Sequence, residues 1–286
     1  GQSGVAWCQK TVPPWDRCRQ RAAVKRKPVF SLPFISFRIV RTQLWREMIM
    51  KLTWLGHSAF RVEIGGATLL IDPFLKGNPS FKGKFTEATK GVTHILLTHG
   101  HDDHIGDAAE IGAKANSKKQ KPQIVSNYEI CAHLASKGAD NMNPGNTGGT
   151  VECGGFTVSF TDAKHSSGTV EKGKSIYLGN PNGLVIKAKG EKTLYHMGDT
   201  DLFSDLALIA ELHKPDIVLI PIGDRFTMGA EMAAIALNRY LKPSLAIPIH
   251  YGTFPMLAPD ASAFQKAMKG SKTKVLVPES GIAVEL

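Results

Sequence analysis

From residue 51 onward, short apolar runs alternate along the chain with segments that have a helical pattern. The short runs rich in Val, Ile and Leu predict strands, and the longer amphipathic segments predict helices. The predicted strands are 51–55, 59–64, 67–71, 93–97, 123–125, one near 151, 156–161, 184–188, 192–196, 216–220, 245–249 and 274–277. The predicted helices are about 104–113, 128–137, 203–212, 229–241 and 260–269. This mixed order favours an α/β fold of two sheets packed face to face, with helices outside them.

The first 49 residues differ from the rest of the chain in charge, and we predict a basic N-terminal extension at 1–49 and a folded domain at 50–286. Ten of the 35 Lys and Arg residues, but only two of the 25 acidic residues, lie in the first 50 positions. The body is therefore nearly neutral and gives no reason to expect a nucleic-acid partner. The extension is expected to be poorly ordered or non-essential. Three interpretations stay open: a translated upstream stretch without function, a basic targeting or membrane-surface arm, and a segment that packs on the fold.

Nothing in the sequence predicts a membrane span or a disulfide framework. The apolar run 29–37 is interrupted by Pro33, is too short to cross a bilayer and lacks the apolar core of a secretory signal. The four cysteines form no Cys-x-x-Cys pair, which is typical of a protein from a reducing compartment. We therefore expect a cytoplasmic protein, and leave open whether it forms a homo-oligomer.

The candidate chemistry is concentrated in residues 98–106, which read Thr-His-Gly-His-Asp-Asp-His-Ile-Gly. Imidazole and carboxylate groups at this density suit zinc and its first-row neighbours. In an extended chain, residues two apart project to the same side, so His99 and His101 can bind one ion together. Asp103 and His104 are out of phase with that pair and are free for a second ion. The alternative is a His-rich turn that begins a helix, with Asp103 as its cap.

Three further candidate ligands each follow a strand-like run. They are His165 after 156–160, Asp199 after 193–198, and His250 after 245–249. Two ions need more than four protein ligands, so these three positions could complete a two-metal site.

The ordered set of motifs resembles the metallo-β-lactamase superfamily over residues 50–286. Within it, the chain is most similar to a family of metal-dependent hydrolases related to the ascorbate-phosphate lactonases. Beyond the histidine motif, the resemblance is carried by residues 54–58, 71–74, 77–79, 142–143, 221–224, 226–229, 250–251 and 253–255. It implies a four-layer αββα sandwich whose active site lies on loops along one edge.

The resemblance also implies a role for each candidate residue. His99, His101 and His165 would bind the first ion, Asp103, His104 and His250 would bind the second, and Asp199 would bridge the two. The cofactor would be two divalent ions per chain, zinc or else manganese, iron or nickel. A hydroxide shared by the ions would be the nucleophile.

Two residues outside the ligand set complete the candidate site. His57 could contact substrate or stabilise a leaving group, and the catalytic residues expected are then Asp103, His57 and Asp199. Asp72 could accept a hydrogen bond from a metal-bound histidine. The alternatives are a structural histidine in a turn and a turn residue before Pro73.

The expected function is a binuclear metal-dependent hydrolase. Two divalent ions bring more positive charge than Asp103, Asp199 and a bridging hydroxide cancel, which favours a small anionic ester, phosphodiester or lactone as substrate. The alternative is a non-catalytic metal-binding sensor or scaffold on the same fold.

Overall fold

The computed structural model describes residues 49–116 and 119–286, and two mixed sheets form its centre. The first sheet has six strands in the order β15-β1-β2-β3-β4-β5. Its strands are β1 (Lys51–Trp54), β2 (Phe60–Ile64), β3 (Ala67–Ile71), β4 (His94–Leu96), β5 (Gln123–Val125) and β15 (Ala283–Glu285). Strands β3, β4 and β5 run parallel to one another, so their carboxyl ends meet at one edge.

The second sheet has seven strands in the order β14-β13-β12-β11-β10-β7-β6. Its strands are β6 (Thr150–Glu152), β7 (Phe156–Asp162), β10 (Asn182–Ala188), β11 (Leu194–His196), β12 (Ile217–Pro221), β13 (Leu245–Ile249) and β14 (Lys274–Val275). Strands β11 to β14 are parallel, whereas β10 is antiparallel to both of its neighbours, β7 and β11. The carboxyl ends of β7, β11 and β13 therefore also point the same way.

Seven helices are described beside the sheets. They are α1 (Phe85–Ala88), α2 (Asp102–Ile105), α3 (Ala108–Ala113), α4 (Tyr128–Ala135), α5 (Leu206–His213), α6 (Ala230–Ile235) and α7 (Ser262–Ala267), and α6 continues as a π-helical segment over Ala236–Leu241. Crossovers between parallel strands in one sheet are right-handed, which places α5, α6 and α7 on one face of the second sheet.

The side chains of β3 show how the layers stack. Leu69 and Ile71 are fully buried in the cluster that contains the core residues of the second sheet, whereas Leu70 belongs to a separate cluster with side chains of α2, α3 and α4. Successive residues of a strand point to opposite faces, so one face of the first sheet meets the second sheet and the other meets helices. The predicted αββα order is confirmed.

The structure also differs from the sequence prediction at several elements. The helix expected at 104–113 is two short helices, α2 and α3, because Gly106 interrupts it with a φ of 30°. Sequence analysis missed α1, β15 and a separate hairpin of β8 (Gly168–Glu171) and β9 (Lys174–Tyr177). No helix among the described residues is long and apolar enough to cross a membrane. The prediction for the extension 1–49 falls outside the described residues except at its last position.

Candidate metal centre

Every candidate ligand follows the carboxyl end of a strand at the same edge of the sandwich. His99 comes after β4, His165 after β7, Asp199 after β11 and His250 directly after β13. The turn after β4 leads at once into α2, whose first turn contains Asp103. The sequence therefore delivers ligands from separated parts of the chain to one place, and the structure brings all seven predicted ligands together.

The first cluster consists of His99, His101 and His165, whose ligand atoms lie within 4.8 Å of one another. The Nδ1 atom of His101 is 3.0 Å from Nε2 of His99 and 3.2 Å from Nε2 of His165. His99 is fully buried, whereas His101 and His165 are half-buried. Three imidazole nitrogens that converge in this way form one face of a metal site.

The second cluster consists of Asp103, His104 and His250, and His57 joins it within the same 4.8 Å limit. Oδ2 of Asp103 lies 3.1 Å from Nε2 of His57 and 3.7 Å from Nε2 of His250. His57, His104 and His250 are almost completely buried. The sequence placed His57 outside the ligand set, and only the structure shows how close its ring lies to that set.

Asp199 lies between the two clusters. Its Oδ1 is 3.3 Å from Nε2 of His104, and its Oδ2 is 2.9 Å from Nε2 of His250. The same Oδ2 is 3.6 Å from Nε2 of His165 and 4.0 Å from Nε2 of His99. One carboxylate thus faces histidines of both clusters, which is the placement that a bridging ligand requires.

The electrostatics of the second cluster favour a bound cation. Burial by itself would lower the pKa of His104, but the charges of Asp199 and Asp72 outweigh burial and hold that pKa well above its usual value. Burial is likewise outweighed at His250, where Asp199 and Asp103 raise the pKa to about 9. The buried carboxylates thus favour positive charge at these two imidazoles. A divalent ion bound at the same place would supply that charge.

Unsatisfied polar atoms provide a direct test of whether a metal fits here. Nε2 of His104 and Oδ1 of Asp199 are buried, face each other, and make no well-aligned hydrogen bond. Buried polar atoms without partners cost free energy, and a metal ion would satisfy both atoms at once. The donor set of nitrogen and carboxylate oxygen suits a first-row divalent ion.

Asp72 supports ligands of both clusters. The Nδ1–H of His104 donates to Oδ2 of Asp72 over 2.8 Å, as expected for an outer carboxylate. The hydroxyl of Thr98 donates to the same oxygen over 2.7 Å. The hydroxyl oxygen of Thr98 therefore accepts a hydrogen bond from the Nδ1–H of His99, 3.0 Å away. Both histidines therefore turn Nε2 toward the metal site. Sequence analysis missed Thr98, although its hydroxyl directly precedes the first histidine.

His57 has protein partners at both ring nitrogens. Nδ1 is 2.9 Å from the hydroxyl of Thr253, and Nε2 is 3.1 Å from Asp103. Burial lowers the pKa of His57 to about 4, and the hydrogen bond to Asp103 only partly opposes this effect. The ring is fully buried, so its influence on a substrate passes through Asp103. Thr253 lies 196 positions away, and although residues 253–255 belong to the family-like motifs, nothing in the sequence indicated its contact with His57.

The remaining described histidines lie outside the ligand clusters. His196 is fully buried, with Nε2 bonded to the carbonyl of Ser58 and Nδ1 accepting from the N–H of Gly198. Both of its nitrogens are therefore occupied. His94 is in β4, His133 in α4 and His213 at the end of α5.

Similar proteins were found by sequence and by structure. Residues 51–250 match the family model of the beta-lactamase superfamily domain. A UPF0173 metal-dependent hydrolase of Methylocella silvestris is 61% identical over 232 residues, which are 81% of this chain and 98% of that protein. A UPF0173 metal-dependent hydrolase of Azorhizobium caulinodans is 54% identical over 237 residues, which are 83% of this chain and all of that protein. Igni18, a metallo hydrolase from Ignicoccus hospitalis, has a similar structure, with a TM-score of 0.73, 36% identity, and coverage of 84% of this chain and 99% of that chain.

Proposed function

Because the chain belongs to the metallo-β-lactamase superfamily and is a metal-dependent hydrolase, we propose that it uses two divalent ions per chain to hydrolyse a small anionic substrate. The observation that carries the proposal is the position of Asp199. Its two carboxylate oxygens face histidines of both clusters at 2.9 to 4.0 Å. A single-metal site would not need a buried carboxylate shared in this way.

The residues that would hold the ions divide into two sets with one shared member. The first set would be His99, His101 and His165, and the second Asp103, His104 and His250. Asp199 would be shared, since its ligand atom groups with His99 of the first set and His104 of the second. Bound divalent ions supply a Lewis acid and lower the pKa of a coordinated water toward neutrality. Zinc suits this mixture of imidazole and carboxylate, and manganese, iron and nickel also accept it.

The chain's own side chains position the ligands and balance their charge. Asp72 fixes His104 directly and His99 through Thr98, so one carboxylate orients one ligand from each set. His57 holds Oδ2 of Asp103 and is itself held by Thr253. We therefore assign His57 as a positioning residue for Asp103 rather than as a direct contact of the substrate.

The charge of the loaded site favours an anionic ester, phosphodiester or lactone. The carboxylates among the proposed ligands are Asp103 and Asp199, which are too few to neutralise two divalent ions. The pKa of each of these carboxyls is held below its usual value by the neighbouring histidines, although burial opposes the shift. The excess positive charge would attract an anionic group to the metals.

Metal content and turnover, measured on the same sample, test this proposal. Protein reconstituted with zinc, manganese or nickel is assayed against phosphodiesters, sugar lactones and thioesters, with His101→Ala as the control for contaminating hydrolases. We expect close to two ions per chain and hydrolysis that requires both. Full metal loading with no hydrolysis of any anionic substrate would overturn the catalytic proposal in favour of a sensor or scaffold.

The cytoplasmic location and the possible homo-oligomer remain predictions.

A further inference from the structure

A cavity of about 620 Å³ opens beside the first metal cluster. His101 and His165 line its inner side, together with Asp102 and Asp103. The opposite side is formed by the β8–β9 hairpin and by the following turn, residues 179–181. A substrate bound at the metals would extend into this space.

The hairpin is fixed to the body of the protein. The hydroxyl of Thr169 donates to Asp102, and Glu171 pairs with Lys137 of the segment after α4. The hydroxyl of Ser167, just before β8, accepts from the N–H of Gly100 and donates to the carbonyl of Leu178. These bonds tie both ends and one face of the hairpin, so it forms a preorganised wall of the cavity.

The other face of the hairpin presents apolar side chains. Val170 is 64% exposed and Tyr177 is 68% exposed, although both line the cavity. Alternation along the two strands places them on the face opposite Thr169 and Ile176, which pair with each other across the hairpin. The hydroxyl of Tyr177 donates to Oδ1 of Asn180 over 2.8 Å, and this bond orients its ring. Exposed apolar groups beside a reactive centre mark a binding surface.

The cavity lining contains no Lys or Arg. Asp102 and Asp103 are its carboxylates, and its other polar groups are imidazoles, hydroxyls and the amide of Asn180. Lys172 and Lys174 lie at the tip of the hairpin and are not among the lining residues, and the nearby Lys137 and Lys164 are paired with Glu171 and Asp162. A second anionic group on the substrate would therefore find no cation here, whereas an uncharged apolar group would find Val170 and Tyr177.

We propose that this cavity binds an uncharged, apolar or aromatic substituent of the substrate, and that Val170 and Tyr177 determine this specificity. The inference rests on the proposed function, because it extends the substrate from the metals into the adjoining cavity. The preferred substrates would carry a single anionic group at the metals and a flat or branched apolar group against the hairpin. Substrates that carry a second negative charge would be disfavoured.

The test compares two ligands that differ only in the group that would enter the cavity. Binding of phenylphosphonate and methylphosphonate to the metal-loaded full chain is measured by calorimetry. We expect phenylphosphonate to bind tighter by about tenfold or more, since burying a phenyl ring is worth that factor. Tyr177→Ser and Val170→Ser should remove most of the preference, whereas Tyr177→Phe should keep it.

Leu212→Ser is the matched control, because Leu212 is a 70% exposed apolar residue on α5 that does not line the cavity. It should leave the ratio of the two affinities unchanged. Equal binding of the two phosphonates by the parent protein would overturn the specificity proposal while leaving the metal-dependent function intact.

A second measurement distinguishes binding in the cavity from binding at the metals. Saturation-transfer NMR with benzyl alcohol, a neutral aromatic probe, should show contact with the parent protein and loss of contact in Tyr177→Ser. If benzyl alcohol binds in this way but neither phosphonate does, the cavity proposal stands and the anionic substrate class fails. If benzyl alcohol shows the same contact with the parent and with Tyr177→Ser, the cavity proposal is wrong.

Discussion

His104 donates its Nδ1–H to Asp72 over 2.8 Å, and both side chains are completely buried. The same carboxylate accepts the backbone N–H and the hydroxyl of Thr98. These bonds fix the tautomer of His104 and direct its Nε2 toward Asp199. The orientation of a ligand at the second site is thus set by a residue that does not itself belong to the ligand set.

Asp72→Asn should weaken binding of the second ion by about 10–100-fold, because an amide orients and polarises the imidazole less well than a carboxylate does. Competition with a chromophoric chelator measures the two affinities separately. Asp140→Asn is the control, since Asp140 is an exposed acid that belongs to neither metal cluster. An equal loss in both variants would show that the effect does not act through His104.

Purified protein should contain close to two transition-metal ions per chain, and His99→Ala and His250→Ala should each lower that number. The two histidines belong to different clusters, so each variant should retain more metal than the double variant. Elemental analysis with protein quantified on the same sample measures the ratio. Protein that holds no metal when purified without chelator, and takes up none on reconstitution, would contradict the binuclear site.

Asp199→Asn should reduce turnover more than His57→Ala does. Asp199 faces both clusters, so its replacement removes charge from two sites at once, whereas His57 acts only through Asp103. We expect His57→Ala to lower turnover by about 10–100-fold, as the loss of a residue that hydrogen-bonds to a metal ligand typically does. Kinetic constants are compared with metal content on the same samples. An Asp199→Asn protein that is fully metallated and nearly as active as the parent would show that Asp199 does not bridge the ions.

A protein that begins at Met50 should fold, bind metal and keep its activity, because every ligand and every described strand follows that position. Met50 itself is fully buried, and its carbonyl accepts from the N–H of Leu286. A new terminal ammonium at this buried residue is unfavourable, so a chain that begins at Met48 should unfold at a higher temperature. The unfolding temperature and the metal content are measured for both truncated proteins and for the full chain. Insoluble or inactive protein from both truncations would place residues before Met48 within the folded domain.

Cys131 and Cys153 should resist alkylation in the folded protein at pH 8. Burial raises the pKa of the Cys131 thiol to about 12 and that of Cys153 to about 11. A raised pKa keeps the thiol neutral, and the reactive thiolate accumulates only as the pH approaches these values. Peptide mapping after iodoacetamide treatment should find both residues unmodified in the folded protein and modified in guanidinium. Rapid labelling of either residue in the folded state would contradict its burial.

The sequence by itself determined the order of most strands and predicted the seven candidate ligands that the structure brings together. A ligand motif such as that of residues 98–106 is local, and strands such as β12 and β13 are continuous apolar runs whose pattern is visible without the fold. The mixed order of strands and helices favoured two packed sheets with helices outside them, and the resemblance to the metallo-β-lactamase superfamily implied the αββα layering. The boundary between extension and domain was read from charge, and the described residues begin only at its edge.

The tertiary structure alone decided which side chains meet across long distances. The β8–β9 hairpin has few buried residues and a weak strand pattern, so its place beside His101 and His165 depends on contacts such as the bond from Thr169 to Asp102. His57 was a candidate substrate contact because it follows Gly56 at the end of a predicted strand, and in the structure its ring nitrogens lie beside Thr253 and Asp103 in the interior. Sequence pattern encodes which face of an element is buried, but the partner that each buried polar atom finds is set by packing between distant segments.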